Sequence, residues 1–325
     1  MKIYRSLDEF KPLANAVVTI GTFDGVHIGH QKILTKVQEC AKETGGETVL
    51  LTFFPHPRLI INPNDDSLRL INDIEEKAHR LGLAHIDHLI ITPFTRDFSN
   101  LTPEEYISDV LVGKLGTKQI VIGYDHHFGK DRKGSIKDLK HYAKIYDYSV
   151  AQIAEQDIED VAVSSTRIRE SLIKGDIETA NKYLGYPFEL TGTVVRGDQI
   201  GREIGFPTAN LNIHESHKLI PAYGIYAVEA EIYPNVPSIE SGPYNQPEPE
   251  CVARGMAYIG TRPTVDGMTR KIEINLLDFH DDIYTKTIRV KFLKFIRHDS
   301  WFESLDAMKE QIKKDEIEIR NFFEV

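Results

Sequence analysis

The spacing of apolar residues changes once along the chain, close to Pro187. Before this point, short apolar runs alternate with amphipathic stretches, which is the pattern of parallel strands joined by crossover helices. After it, short alternating segments predict antiparallel strands, followed by one helix over Ser304–Phe322. Proline disfavours helix in the residue before it, so Gly185–Pro187 also ends a predicted helix. A chain of 325 residues suits two domains, and we expect them to cover residues 1–185 and 186–325.

The first region is predicted to be an α/β domain with a parallel sheet. Its expected strands are Ala16–Gly21, Glu47–Phe54, His88–Ile91 and Gln119–Gly123. Its expected helices are Gln31–Lys42, Glu75–Leu83, Pro103–Val112 and Arg169–Leu184, the last one broken at Gly175. Ligands of open α/β sheets bind at the carboxyl ends of the strands, so we expect chemistry just after Gly21, Phe54 and Gly123.

The second region is predicted to be a small antiparallel barrel closed by its single helix. Its expected strands are Leu190–Val195, Gly224–Ile232, Val252–Ile259, Lys271–Asp278 and Thr287–Phe295. Residues 234–250 are rich in Pro, Ser, Asn and Glu, which indicates a solvated extension of a hairpin.

Charge and composition restrict the class of partner. The net charge of −10 argues against a broad surface that follows nucleic-acid phosphates, although a local pocket can still bind a small anion. Apolar runs stay short of the ~18 residues that a membrane span needs, and Met1–Phe10 lacks a signal-peptide core, so we expect a cytoplasmic protein. Cys40 and Cys251 indicate neither a disulfide framework nor a thiolate metal site. The oligomeric state stays open.

A glycine-rich turn follows the first predicted strand and leads into a helix. It reads Gly21-Thr-Phe-Asp-Gly-Val-His-Ile-Gly-His30, in which Gly25 and Gly29 let the backbone approach a ligand closely. His27 and His30 lie three residues apart, so at helical spacing both imidazoles can face one point. An isolated H-x-G-H segment is equally compatible with two histidines that cap a turn.

A second anion-binding pattern lies far downstream, where hydroxyl groups begin a helix and two arginines follow in its first turn. The residues are Ser164, Ser165, Thr166, Arg167 and Arg169. Alone, this segment is also typical of a plain helix cap. The two motifs in this order, at the two ends of one α/β unit, resemble the H-x-G-H nucleotidyltransferase superfamily, whose domain contains a Rossmann-like sheet.

The resemblance implies roles for both motifs. The histidines would hold the α-phosphate of a nucleotide, and the S-S-T-x-I-R segment would hold the outgoing pyrophosphate. Other residues implied to contact ligands in the first motif are Gly21, Phe23, Asp24, Gly25 and Gly29.

Two more loops follow predicted strands and narrow the resemblance to bacterial FAD synthetases. They are Thr52-Phe-Phe-Pro-His-Pro57 and Gly123-Tyr-Asp-His-His-Phe-Gly129. From the residues alone, the first is a rigid turn and the second a polar loop. The resemblance implies that Asp125 contacts the nucleotide, and His126 stands where the family commonly has an aromatic residue. The residues implied in the flavin pocket are Pro55, His56 and Pro57.

A second glycine-rich segment spans Gly192–Asn210 and ends in Pro-Thr-Ala-Asn. It lacks the G-K-[ST] of a Walker A motif, so a phosphate cradle would use backbone N–H groups and Arg202. A metal ion would be held by oxygen ligands such as Thr208 and Asn210, and magnesium fits best. Glycine-rich hairpins are most often plain turns.

This segment closely resembles the riboflavin kinase signature, and the match continues to the end of the chain. The further matching segments are Gly224–Ala227, Ile259–Thr264, Glu273–Phe279 and Phe295–Arg297. The resemblance to bifunctional riboflavin kinase/FAD synthetases thus covers nearly the whole chain, and it implies a six-stranded antiparallel barrel with a terminal helix. Other residues implied to contact ligands are Gly197, Gly201, Gly205, Pro207 and Arg297.

Glu273 lies on a predicted strand in which Ile272 and Ile274 face one way while Glu273 and Asn275 face the other. From this pattern alone it is a glutamate on a wet face of a sheet. The resemblance implies that it is the general base for attack of the ribityl hydroxyl on the γ-phosphate of ATP.

The expected substrates are therefore riboflavin, FMN and ATP, which would give FMN and then FAD. One alternative keeps the adenylyltransferase but makes the barrel a non-catalytic flavin-binding module, because Tyr258 and Val265 depart from the family pattern. A second alternative is a barrel that binds nucleic acid, against which the acidic balance argues.

Overall fold

The computed structural model describes most of the chain. The described residues are 1–65, 67–153, 163–197, 200–234, 248–264 and 267–325. Most of the predicted extension at residues 234–250, and the departure at Val265, lie outside them. The described residues form two compact units, one ending at Ser164 and the other starting at Ser165.

The first unit contains a six-stranded parallel sheet in the order β1-β4-β3-β2-β5-β6. Its strands are β1 Lys2–Tyr4, β2 Ala16–Ile20, β3 Glu47–Phe53, β4 His88–Thr92, β5 Thr117–Ile122 and β6 Ser149–Gln152. All five residues of β2 and of β4 are buried, as expected for strands covered on both faces. The predicted parallel α/β domain is confirmed.

Helices connect these strands. They are α1 Ile28–Thr44, α2 Pro57–Ile61, α3 Ile74–Leu83, α4 Arg96–Ser99, α5 Pro103–Glu105 and α6 Ile136–Tyr146. The predicted helix over Pro103–Val112 is one turn of α5 that continues as a π-helix over Tyr106–Lys114. Thr102 and Glu105 form a capping box at the start of α5, which fixes where this segment begins.

The second unit contains a closed barrel of six antiparallel strands, in the order β10-β11-β8-β7-β12-β9. The strands are β7 Phe188–Val195, β8 Ala209–Asn212, β9 Gly224–Tyr233, β10 Cys251–Thr264, β11 Gly267–Leu276 and β12 Thr287–His298. Tyr226, Phe188 and Phe292 are its largest fully buried side chains. The six-stranded barrel implied by the resemblance is confirmed.

Four helices of the second unit lie outside the barrel wall: α7 Ser165–Lys174, α8 Ile177–Leu184, α9 Ile200–Glu203 and α10 Leu305–Phe323. Gly175, at φ 83°, breaks the predicted long helix into α7 and α8, and Gly185, at φ 79°, ends α8. The Asn181 amide of α8 donates to the Phe292 carbonyl at 2.8 Å, which attaches α8 to β12. Ile319 of α10 is buried in a cluster with Ile225 and Met256, which places α10 against β9 and β10.

The helices α7 and α8 belong to the compact unit of the barrel, whereas the change of sequence pattern comes after them. A domain boundary at residue 185 stays a prediction.

Candidate active sites

Three of the predicted site loops leave neighbouring strands of the parallel sheet. The Gly21–His30 turn follows β2, the Phe54–Pro57 loop follows β3, and the loop with Asp125 follows β5. Because β3, β2 and β5 are adjacent and parallel, all three loops emerge side by side at one edge of the sheet. This is the edge at which open α/β sheets bind ligands.

The turn after β2 has an unusual backbone. Phe23 and Val26 have positive φ angles, 45° and 36°, in a region that side-chain-bearing residues rarely adopt. Both side chains are buried, in a cluster that includes Leu34 of α1 and Leu81 of α3. Gly25, at φ 87°, supplies the remaining left-handed position. The packed core thus holds the turn in a strained conformation.

His27 and His30 come together at the start of α1. His27 is the residue that caps the helix, and its Nδ1 accepts the backbone N–H of His30 at 3.3 Å. The two rings are stacked, with centroids 3.7 Å apart and planes 16° apart. Since Nδ1 of His27 accepts a hydrogen bond, the hydrogen of a neutral His27 ring lies on Nε2. Gly29, which lies between the two histidines in sequence, is buried.

The environment of His30 keeps its ring neutral. Burial lowers the pKa of His30 well below its ordinary value, and the neighbouring His27 and Lys77 lower it further. Within the described part of the chain, the buried Nδ1 of His30 has no hydrogen-bond partner. Buried polar atoms are nearly always paired, so an unpaired one at a candidate site is suited to a ligand.

Asp24 of this turn and Lys77 of α3 are buried groups of opposite charge, 2% and 5% exposed. Asp24 Oδ1 accepts the backbone N–H groups of Ile71 and Asn72, at 3.0 and 3.4 Å, just before α3 begins. Burial lowers the pKa of Lys77, whereas the carboxylates of Asp24 and Asp73 raise it. Asp24 therefore ties the turn to α3. Lys77 was not predicted from the sequence, because its position on an amphipathic helix gives no sign that it is buried.

The other two loops are partly exposed. His56 caps α2 through Nδ1, which accepts the Arg58 N–H at 3.2 Å, and Pro57 occupies the first helical turn. Asp125 is exposed. His126 stacks on Phe128 at a centroid distance of 5.9 Å, and burial lowers its pKa to about 4. His126 therefore acts as a neutral ring in the place of the aromatic residue expected there.

The hydroxyl and arginine segment begins helix α7. Ser164, Thr166 and Arg167 are exposed, whereas Ile168 is fully buried. Ser165 is the first residue of α7, and Arg169 is partly buried one turn later. Binding of pyrophosphate by these residues stays a prediction.

In the second unit, the glycine-rich loop between β7 and β8 folds closely on itself. A Cβ at Gly197 would lie 2.2 Å from the Asn210 side-chain nitrogen, and one at Gly201 would lie 2.3 Å from the Phe206 carbonyl. The Phe206 N–H donates to the Gly201 carbonyl at 2.7 Å. These two glycines are therefore required by close approach, and Gly205, at φ 88°, is required by its backbone angle.

Thr208, Asn210 and Glu273 come together where β8 meets β11. Asn210 is opposite Glu273 in the strand register, and the Thr208 hydroxyl donates to Glu273 Oε2 at 3.1 Å. Ile272 and Ile274 are buried on the other face of β11, which agrees with the predicted alternation. Three side chains with oxygen atoms thus face one point.

A cavity of about 470 Å³ lies beside these residues. Its wall is formed by Val194, Arg202, Pro207, Thr208, Ala209, Ile274, Leu276 and Phe279–Tyr284. Thr208 thus belongs both to the cavity and to the contact with Glu273.

Arg297 has a different environment. Its guanidinium forms two hydrogen bonds from Nε to the carboxylate of Asp315, at 2.9 and 3.0 Å, and a third from Nη2 at 2.7 Å. Asp315 is 2% exposed on α10, so this ion pair fastens α10 to β12. A role of Arg297 in ligand binding stays a prediction.

The described residues contain no group of three or more histidine, cysteine, aspartate or glutamate side chains that could hold a metal ion. Among the helices that the structure describes, none is long and apolar enough to span a lipid bilayer.

Both halves of the chain match known protein families. Residues 10–167 match the family model for FAD synthetase, and residues 184–323 match that for riboflavin kinase. A bifunctional riboflavin kinase/FMN adenylyltransferase from Escherichia coli K12 is 35% identical over 325 residues, which cover 99% of this chain and 98% of the relative. The enzyme of the same name from Listeria monocytogenes is 34% identical, with 95% and 93% covered.

A solved structure has the same fold over its full length. It is described as a macrolide-efflux protein from Streptococcus pneumoniae, with a TM-score of 0.84, 31% identity and 98% of both chains covered. That description belongs to the other protein. By its sequence over the full length, this chain belongs to the family of bifunctional riboflavin kinase/FMN adenylyltransferases.

Proposed function

We propose that this riboflavin kinase and FMN adenylyltransferase performs its two reactions at two separate sites, one at the barrel and one at the parallel sheet. Riboflavin and ATP would give FMN and ADP at the barrel, and FMN and ATP would give FAD and pyrophosphate at the parallel sheet. The hydrogen bond from Thr208 to Glu273, at the edge of a cavity that can hold a nucleotide, supports the kinase site most directly.

At the barrel, Glu273 acts as the general base. It takes the proton of the terminal ribityl hydroxyl while that oxygen forms a bond to the γ-phosphorus of ATP. The bond between the γ-phosphorus and its bridging oxygen breaks, and ADP leaves. Because Thr208 belongs to the cavity wall and also contacts Glu273, ATP occupies the cavity and riboflavin approaches from the side of Glu273. A positioned base contributes roughly 10²–10⁴-fold to the rate.

The residues present fit a magnesium ion. Thr208 and Asn210 offer a hydroxyl and an amide oxygen beside the Glu273 carboxylate, and Mg²⁺ is commonly bound by one or two protein oxygens together with substrate phosphates and water. When bound, the ion neutralises charge on the phosphates of ATP. Arg202, exposed in the cavity wall, adds positive charge for the same anion.

At the parallel sheet, a phosphate oxygen of FMN forms a bond to the α-phosphorus of ATP, and the bond to the bridging oxygen of pyrophosphate breaks. His27 and His30 hold the α-phosphate at the positive end of α1, with Nε2–H of His27 as one donor. No covalent enzyme intermediate is needed. Losing one donor to transition-state charge costs about 2.7–4 kcal/mol in comparable sites.

The remaining residues have supporting roles in this proposal. Gly21, Phe23 and Asp24 shape the turn around the α-phosphate, Asp125 contacts the nucleotide, and Pro55, His56 and Pro57 line the flavin pocket. The S-S-T-x-I-R segment, residues 164–169, holds the departing pyrophosphate. Since ATP serves both reactions, we place the enzyme in the cytoplasm.

Two variants in one chromatographic assay of riboflavin, FMN and FAD test the assignment. His30→Ala should leave FMN formation intact and stop FAD formation. Glu273→Gln should stop FMN formation but still convert added FMN to FAD. If each variant loses both activities while it remains folded, the sites are wrongly assigned.

A further inference from the structure

We propose that Asn275 is a positioning residue of the kinase site, whose side-chain amide holds the Pro207–Thr208 turn against β11 so that Thr208 faces Glu273. This inference rests on the kinase site proposed above. Asn275 contacts neither reactant in this proposal. It acts through the turn.

Two hydrogen bonds between β11 and the Pro207–Thr208 turn support this role. Asn275 and Glu273 are two residues apart on β11, so their side chains leave the same face. Asn275 Nδ2 donates to the Pro207 carbonyl at 2.8 Å, and Glu273 Oε2 accepts from the Thr208 hydroxyl at 3.1 Å. Two neighbouring side chains of one strand thus bind two consecutive residues of the turn.

The turn needs such an attachment because the strand ladder gives it little support. The register between β8 and β11 consists of Asn210 opposite Glu273 and Ala209 opposite Ile274. Pro207 precedes this ladder and has no N–H of its own, so it cannot donate to β11. The Asn275 amide extends the contact between the two segments beyond the ladder. Before Pro207 the loop contains Gly201 and Gly205, and glycine has greater backbone conformational freedom than other residues.

The contact also requires an amide. Asn275 is only 7% exposed, and its Nδ2 is the donor to the Pro207 carbonyl, so loss of this donor removes one of the two attachments of the turn to β11. An aspartate at this position would have the same shape but would turn a carboxylate oxygen toward that carbonyl, and it would add a negative charge two residues from Glu273. Asn275→Asp is therefore the sharpest change that keeps the volume of the side chain.

The experiment compares Asn275→Asp and Asn275→Gln with Asn212→Asp, which makes the same substitution at an exposed position of β8. Steady-state kinetics of FMN formation should show kcat lowered about 10–100-fold in Asn275→Asp, with the KM for riboflavin within about 3-fold of wild type. Half-saturation for Mg²⁺ should rise several-fold. Asn275→Gln, which keeps the amide, should recover part of kcat, and Asn212→Asp should match wild type.

Conversion of added FMN to FAD by the same variants serves as the internal control, and it should not change. An unaltered kcat in Asn275→Asp would overturn the proposal, and so would a rise in the KM for riboflavin without a change in kcat. If Asn275→Asp unfolds the barrel, hydrogen exchange of the Asn275→Ser variant tests the positioning role instead. Backbone amides of Thr208–Leu211 should exchange faster than in wild type, and equal rates would refute the role.

Glu273→Gln, measured in parallel, distinguishes a failure of the positioning role from a failure of the proposed kinase site on which it rests. If Glu273→Gln still forms FMN, the kinase site itself is wrong. If Glu273→Gln is inactive while Asn275→Asp equals wild type, only the positioning role fails.

Discussion

The two candidate sites differ in what holds their reactive groups. At the parallel sheet, a strained turn and a helix start fix two imidazoles, and burial lowers the pKa of His30. At the barrel, two side chains of β11 hold the Pro207–Thr208 turn by single hydrogen bonds, next to an exposed arginine. The first site should therefore respond to changes of nearby charge and of pH. The second should respond to the loss of single donors.

The largest effect is expected from His27→Phe, which keeps an aromatic ring against His30 but removes both ring nitrogens. FAD formation from FMN and ATP should fall about 10²–10³-fold, because a donor to the α-phosphate is lost. Steady-state kinetics of both reactions measure this. FMN formation should stay unchanged, and an equal fall of the two rates would show that the sites are not separate.

A somewhat smaller effect is expected from Thr208→Val, which keeps the shape but removes the hydroxyl that reaches Glu273. We expect kcat of FMN formation to fall about 10–100-fold, since a ligand-orienting contact is lost. Thr193→Val is a matched control, because the Thr193 hydroxyl contacts His214 and lies outside the cavity wall. Wild-type rates in Thr208→Val would contradict a kinase site that depends on the Thr208 hydroxyl.

The charge of Lys77 provides a test of whether nearby charge affects the pKa of His30 at the first site. Lys77→Met removes a positive charge near His30, so the charged form of His30 becomes less unfavourable and its pKa should rise. NMR titration of isotope-labelled histidine measures this midpoint. Lys36→Met, at an exposed lysine of α1, should leave it unchanged. A midpoint that does not move in Lys77→Met would show that the lysine is electrostatically irrelevant to His30.

The smallest effect is expected on stability, from His126→Phe. The folded pKa of His126 is about 4, below its value in an unfolded chain, so folding favours the neutral ring. Its contribution is complete above pH ~6.5 and is lost as pH falls from there toward 4, because the unfolded state binds the proton first. Urea unfolding measures the free energy of unfolding at pH 7.5 and at pH 5. This free energy should fall less between the two pH values in His126→Phe than in wild type, whereas the control His141→Phe, at an exposed position, should behave like wild type.

Periodicity predicted most of the long elements but missed the 11-residue helix α6, and it predicted the short elements poorly. The buried strands β2 and β3 and the helix α1 have clear patterns, whereas β8 is four residues long with two asparagines and was not predicted. The edge strands β1 and β6 were also missed, since three or four partly exposed residues carry little periodicity.

The same limit applies to the sites. Spacing within local motifs indicated His27, His30 and Thr208 as candidates, whereas the role of Glu273 was expected only from the resemblance to riboflavin kinases. The electrostatic interaction of Lys77 with Asp24 and the hydrogen bond of Asn275 with Pro207 join residues 53 and 68 positions apart. Only the fold brings such pairs together, so no local pattern could have predicted them.

The left-handed backbone at Phe23 and Val26 has a consequence for how this enzyme tolerates change. Each such residue costs roughly 1–3 kcal/mol, which here is offset by packing of both side chains against Leu34 and Leu81. A cavity made at Leu81, far from any phosphate, would let the turn relax toward ordinary angles and carry the imidazoles with it. Core substitutions in this half should thus slow adenylyl transfer before they unfold the protein.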